Sequence, residues 1–198
     1  MSSHSEDTTA AHLPPLAAEV RNSRLSGLRV PEIPLPGPQG ALMVVLLTYN
    51  GSPFKDHWAY FVESREDPKV GVMIQANGDV LNGFSIDIER NYDLRSADKQ
   101  PTARIPLQWV GEEHFDEKAM FDNGQNTVDQ IPHCRFEESV CEVKAPGKSL
   151  NAVIETLTPG KKIIQRNCQT WIVESAEQLL KNNILNEEVI AYLHAAKQ

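Results

Sequence analysis

No continuously apolar stretch in this chain is longer than Ala41 to Leu47. A helix that crosses a bilayer needs about 20 such residues, so no integral membrane segment is expected. Basic residues are scarce: 19 Lys and Arg stand against 27 Asp and Glu, a formal net charge of -8. That balance argues against a general nucleic-acid binder, which needs a basic footprint, and against attachment to anionic lipid. Only three cysteines are present, Cys134, Cys141 and Cys168. They cannot form an even disulfide framework, and a reducing compartment is the simpler reading. Met1 to Asp7 is polar and acidic, with no apolar signal core. The expected location is therefore the cytosol, with the nucleus as the alternative. Cys134 and Cys141 are too widely separated for the usual zinc spacings, even with His133 beside the first, so no metal is expected. The acidic cluster Glu112, Glu113, Asp116 and Glu117 lacks the central glycine of a calcium loop and reads as a solvated face. No cofactor is expected.

The 198 residues fit one domain behind a tail. Residues 1–38 begin Ser, Thr and acid rich. Pro14, Pro15, Pro31, Pro34, Pro36 and Pro38 then interrupt any regular element. This segment is expected to be disordered or draped over the domain, and Pro31 and Pro34 give it the bare spacing of a proline-rich recognition segment. Residues 39–198 form the expected domain. Ala41 to Leu47 reads as a strand buried on both faces. His57 to Val62 reads as a second, with His57, Ala59 and Phe61 on one face and Trp58, Tyr60 and Val62 on the other. Val70 to Ala76 is a third, and Asn77-Gly78 signals the hairpin turn that follows. Phe84, Ile86 and Ile88 alternate with Ser85, Asp87 and Glu89, which predicts a return strand with one wet face. Ile105, Leu107 and Trp109 alternate in a further strand, and Phe136 to Val143 reads as another. Leu150, Val153, Ile154 and Leu157 have helical spacing, with Ser149 as N-cap and Pro159-Gly160 as the stop. Two more helices follow. One gathers Cys168, Ile172, Ser175, Ala176 and Leu179 on a single face, and the other starts after Asn186. The expected class is α+β: an antiparallel sheet with helices packed at the C-terminal end.

Two short segments carry candidate chemistry. In Asp56-His57-Trp58-Ala59 a histidine opens an apolar strand, where sheet backbone would hold it rigidly enough to act as a base. In Arg166-Asn167-Cys168-Gln169-Thr170-Trp171 a cysteine follows a good N-cap, Asn167. Free backbone N–H groups in that first turn are expected to lower the thiol pKa and to receive an oxyanion. A thiol paired with a fixed imidazole is the constellation of acyl transfer. The bland reading is a packed cysteine and a structural histidine.

His-Trp-Ala on a strand, a hairpin, and a distal Asn-Cys-Gln-x-Trp at a helix start resemble the lecithin:retinol acyltransferase-like proteins. These form the permuted branch of the NlpC-type, papain-like thiol superfamily, with histidine before cysteine. The chain is also similar to fungal proteins that carry the same two motifs. The match covers roughly residues 41–183, though only the motifs are specific. The resemblance implies a permuted papain-like fold, Cys168 as nucleophile and His57 as its base. It assigns the third position to Gln75, where the family usually has histidine. A glutamine carbonyl can fix the imidazole tautomer but lends no charge to an imidazolium. The resemblance further implies that Trp58, Asn167, Gln169 and Trp171 contact the substrate, although aromatic core residues are far commoner. The expected activity is a cysteine-dependent acyltransferase or hydrolase working through acyl-Cys168 on a small-molecule or acyl substrate. The alternatives are a catalytically silent binding module of the same fold and a PPPDE-type isopeptidase.

Overall fold

The computed structural model describes residues 29–148 and 165–198. It is a mixed α+β structure with a six-stranded antiparallel sheet. The strands are β1 (Leu42–Tyr49), β2 (His57–Glu63), β3 (Val70–Asp79), β4 (Gly83–Asp93), β5 (Ala103–Val110) and β6 (Thr127–Asp129), in the spatial order β5-β1-β2-β3-β4-β6. Four α-helices are described: α1 (Glu117–Met120), α2 (Arg135–Cys141), α3 (Cys168–Lys181) and α4 (Glu187–Ala196). None of the described helices is long and apolar enough to cross a membrane. The expected helix with Ser149 as its cap lies outside the described residues.

The pleat sorts the core into two layers. Leu42, Val44, Leu46, Trp58, Tyr60, Val62, Val72 and Ile74 face α2, α3 and α4. Met43, Val45, Leu47, Tyr49, Ala59, Phe61 and Met73 form a smaller layer on the other face, with Leu94. Strict alternation makes this division, because β1 and β2 are apolar at every position that meets either layer. The chain before β1 helps cover the smaller layer. Ile33 packs there, and the Trp109 indole N–H donates to the Pro34 carbonyl at 3.0 Å. Gly37 lies so close to that indole that a β-carbon would fall 2.3 Å from the ring. Ile33, Pro34 and Gly37 thus lie against the domain.

Asn167 and Asn186 set the starts of α3 and α4. Their side-chain oxygens accept from the N–H groups of Thr170 and Val189, each at 3.0 Å, which satisfies donors left free in a first helical turn. Cys168, Ile172, Ser175, Ala176 and Leu179 are all buried on α3, as their spacing predicts.

Three expectations are corrected. Residues 136–143 do not form a strand; α2 runs from Arg135 to Cys141. Phe136 and Val140, four apart, bury one helical face, and Glu137 joins them only because Arg90 neutralises it. Asn77-Gly78 is not the hairpin turn. Both residues continue the β3–β4 ladder, and the tip comes after Asp79, which pairs with Gly83. The Asp79 carboxylate accepts from the N–H groups of Leu81 and Asn82 at 2.7 and 2.8 Å, and this side-chain-capped turn displaces the expected one. Trp109 does not share a face with Ile105 and Leu107. A bulge opposite Val44 and Val45 shifts the β5 register, so Trp109 meets the smaller layer.

Arg90 ties the far edge of the sheet together. Its side chain is fully buried, and it donates to Asp129, Glu137 and the carbonyls of Met120 and Ile131. It thereby joins β4, β6, the end of α1 and α2. Removing one member of such a set leaves uncompensated charge in a dry site. We expect Arg90→Ala to cost about 3–5 kcal/mol in urea unfolding, with Arg90→Lys also destabilising because an ammonium cannot reproduce two bidentate pairs.

Candidate functional site

His57 opens β2 opposite Tyr49 of β1, and Ala59 lies opposite Gln75 of β3. By the period of the strand, His57 and Gln75 therefore rise on the same face as Tyr49 and Met73, away from the helices. There the His57 Nε2 and the Gln75 Oε1 lie 2.7 Å apart. An amide oxygen only accepts, so Nε2 carries the proton and Nδ1 keeps its lone pair. Nδ1 has no hydrogen bond with any described residue. It is also the ring nitrogen nearer the main chain. The Tyr49 ring flanks the imidazole, with centroids 6.0 Å apart. Burial holds the imidazole below the ordinary histidine range; the Gln75 hydrogen bond opposes this and the Lys99 charge adds to it. The imidazole is thus neutral at neutral pH.

Cys168 is the first residue of α3 and is 8% exposed. Its sulfur lies 4.0 Å from the Asp56 carbonyl oxygen, and the Trp58 backbone N–H points at it. The sulfur therefore touches the peptide groups on both sides of His57. Among the described residues no hydrogen bond joins thiol and imidazole directly. The expected low thiol pKa is corrected: burial pushes the thiol up, and the N–H groups of Trp58, Gln169 and Cys168, with the Lys55 charge, offset only part of that rise. Thiol and imidazole are both neutral at neutral pH.

Gln169 makes this approach specific. It is fully buried, and its Nε2 donates to the Asp56 carbonyl at 2.8 Å while its Oε1 accepts from the Gln198 N–H at 2.9 Å. Gln198 returns to Asp56 twice: its Oε1 accepts from the Asp56 N–H and its Nε2 donates to the Asp56 carboxylate, each at 3.0 Å. Lys55 donates to the Gln198 carbonyl.

Three of the four expected substrate contacts, Gln169, Trp171 and Trp58, are buried against the protein instead. Gln169 has its amide occupied by the protein and cannot also face a substrate. Trp171 is fully buried and its indole N–H donates to the Val143 carbonyl at 2.9 Å. Trp58 belongs to the helix-side core. Asn167 spends its side-chain oxygen on Thr170, both N–H and hydroxyl. The polar groups of Gln169 and Trp171 are thus met by the protein, and neither side chain is left for a ligand.

The open space lies on the imidazole side. A cleft of about 510 Å³ is lined by Tyr49, His57, Met73, Gln75, Glu89 and Tyr92, with Lys99 and Asp98 at its margin. Cys168 is not in its lining and meets β2 at the backbone on either side of His57. Glu89 and Tyr92 escape a motif reading, although the wet alternation of β4 points to Glu89. Asp56 enters through its backbone rather than its side chain: its carbonyl meets the sulfur.

The sequence matches, over residues 44–186, a family of unknown function, DUF6540. The chain belongs to that family. No curated protein and no solved structure matches it.

The three thiols differ in their surroundings. Burial pushes Cys134 up to about 12 and Cys141 up to about 11, and the Glu137 charge adds to both. Three N–H groups oppose the rise at Cys134 as at Cys168, but only Cys168 has the Lys55 charge beside it and no carboxylate adding to burial. Iodoacetamide should therefore label Cys168 first, at a rate that climbs about tenfold per pH unit between about pH 7 and 9, because only the thiolate reacts. Peptide mass mapping against time checks this order.

Proposed function

We propose that this protein is a cysteine-dependent acyltransferase or hydrolase that works through an acyl-Cys168 intermediate, on a permuted papain-like fold of the lecithin:retinol acyltransferase-like type. One observation carries the reading. The sulfur lies against the peptide groups that bracket His57, while Gln75 pins the distal nitrogen of the same imidazole. That leaves the proximal Nδ1 as the unprotonated nitrogen, and on this reading it is the one that takes the thiol proton.

Attack by a neutral pair runs through general-base catalysis. Nδ1 takes the thiol proton as the sulfur bonds to the acyl carbon, and the carbonyl electron pair moves onto oxygen. The N–H groups at the start of α3 are the donors on that side of the sulfur that can receive the oxyanion. Collapse expels the leaving group, which takes the proton from Nδ1. Water or an acceptor then attacks the acyl-thiol, with Nδ1 again as base. Gln75 keeps Nε2 protonated and aims the ring, but offers no charge to the transient imidazolium.

A second reading is a silent binding module. The absence of a direct thiol–imidazole hydrogen bond among the described residues, and the burial of the thiol, favour it.

An acyl thioester probe separates the two. On the first reading, intact-mass analysis finds one acyl group on Cys168, none on Cys168→Ala, and acylation slowed about 10²- to 10⁴-fold by His57→Ala. On the second, no adduct forms on the wild type. The pH profile of acylation adds a further check. A protonated imidazole cannot act as base, and burial lowers the His57 pKa. The rate should therefore fall only as pH drops below about 6.5, the ordinary histidine value, and should not decline through neutral and mildly alkaline pH.

A further inference from the structure

Glu89 projects from β4 on the same face as His57, across from Met73 of β3 on one side and Val128 of β6 on the other. It lines the cleft, and the amide of Asn126 is the hydrogen-bond partner that steadies its carboxylate. No cation among the described residues pairs with it. The other charges around the cleft are partly committed. Asp93 is held by Arg95, and Lys99 donates to the Asn50 carbonyl at 3.0 Å. Burial holds the Glu89 carboxyl above its usual range, and the Asp87 charge adds to that effect. A half-buried carboxylate that lacks a counter-charge is satisfied best by a cation from outside. Its neighbours set the rest of the ligand. Met73, Tyr49 and Tyr92 give the cleft an apolar wall, and its volume of about 510 Å³ suits a small molecule.

We infer that the cleft in front of His57 binds an alkylammonium group, with the cation on the Glu89 carboxylate and the aliphatic stem against Met73, Tyr49 and Tyr92. Two strand spacings across the sheet, about 10 Å, and four residues along β2, about 13 Å, separate the Glu89 and His57 backbones. The ammonium therefore anchors the ligand at a distance and is not the reacting atom. That this ligand is the substrate rests on the acyl-thiol reading; that the cleft binds it does not.

Binding is measured by calorimetry on the full chain as Cys168→Ala, with pentylammonium as probe and 1-pentanol and pentanoate as controls of the same length. Saturable binding of pentylammonium alone is expected, weakened about tenfold or more by Glu89→Gln, which keeps the shape and removes the charge. Glu89→Lys, which supplies the cation internally, should abolish binding while the circular dichroism spectrum stays that of the parent. No saturable binding of pentylammonium overturns the inference. So does equal binding of pentanol, or binding that Glu89→Gln and Glu89→Lys leave unchanged. If the probe fails to bind while the wild type still acylates Cys168, the inference falls and the acyl-thiol reading stands. If the probe binds and no acylation occurs, the inference stands alone.

Discussion

The candidate site depends on one buried amide. Gln169 sits one residue inside α3, without solvent, and bonds the carbonyl of Asp56 just before β2 begins. A buried amide left without partners costs about 1–3 kcal/mol, so its bonds select one alignment of the helix against the strand rather than merely adding to it. Gln198 doubles the constraint by bonding both Gln169 and Asp56. The sulfur of Cys168 is carried to the flank of His57 as a consequence. Helix packing alone would set that distance only loosely, because apolar contacts are non-directional.

Electrostatics at this point is a contest between burial and directed dipoles. The helix start aims N–H groups at the sulfur, which stabilises a thiolate. Burial opposes this and prevails. At the imidazole, burial prevails again over the Gln75 hydrogen bond. Thiol and imidazole are therefore both uncharged at neutral pH, and no standing ion pair joins them. Gln75 is consistent with that choice. A charged third residue would favour an imidazolium, whereas a neutral amide fixes only the tautomer.

Much of the fold was legible because strand alternation was strong. The two faces of β2, the buried β1 and the caps at Asn167 and Asn186 all follow from local pattern. The failures share a cause: a distant partner changed what a local pattern meant. Residues 136–143 mix apolar and acidic positions, and only Arg90, far away in sequence, makes Glu137 an inward residue of a helix. Asp79 outcompeted Asn77-Gly78 for the turn through its own carboxylate. At the candidate site, the meeting of His57 with Gln75 and of the Cys168 segment with the start of β2 was legible from the motifs and the resemblance. Their supposed substrate contacts were not, because whether a Trp or Gln faces a cleft or a core depends on partners such as Val143 and Gln198 that no motif contains.

The sheet itself explains how groups on opposite faces can share a site. Helices seal one face and the cleft opens on the other, so a complete ladder would keep the sulfur and the imidazole apart. The ladder is not complete at this end. Pairing of β2 with β3 begins at Ala59 and Gln75, while His57 pairs only with Tyr49 of β1. The Trp58 N–H and the Asp56 carbonyl are left unused by β3, and the buried end of α3 fills that notch with the Cys168 sulfur. Backbone polar groups in a dry site require partners. The start of β2 thus needs α3 as much as α3 needs a strand to pack on. The same notch lets a thiol from the helix layer lie beside a residue whose ring emerges on the far side.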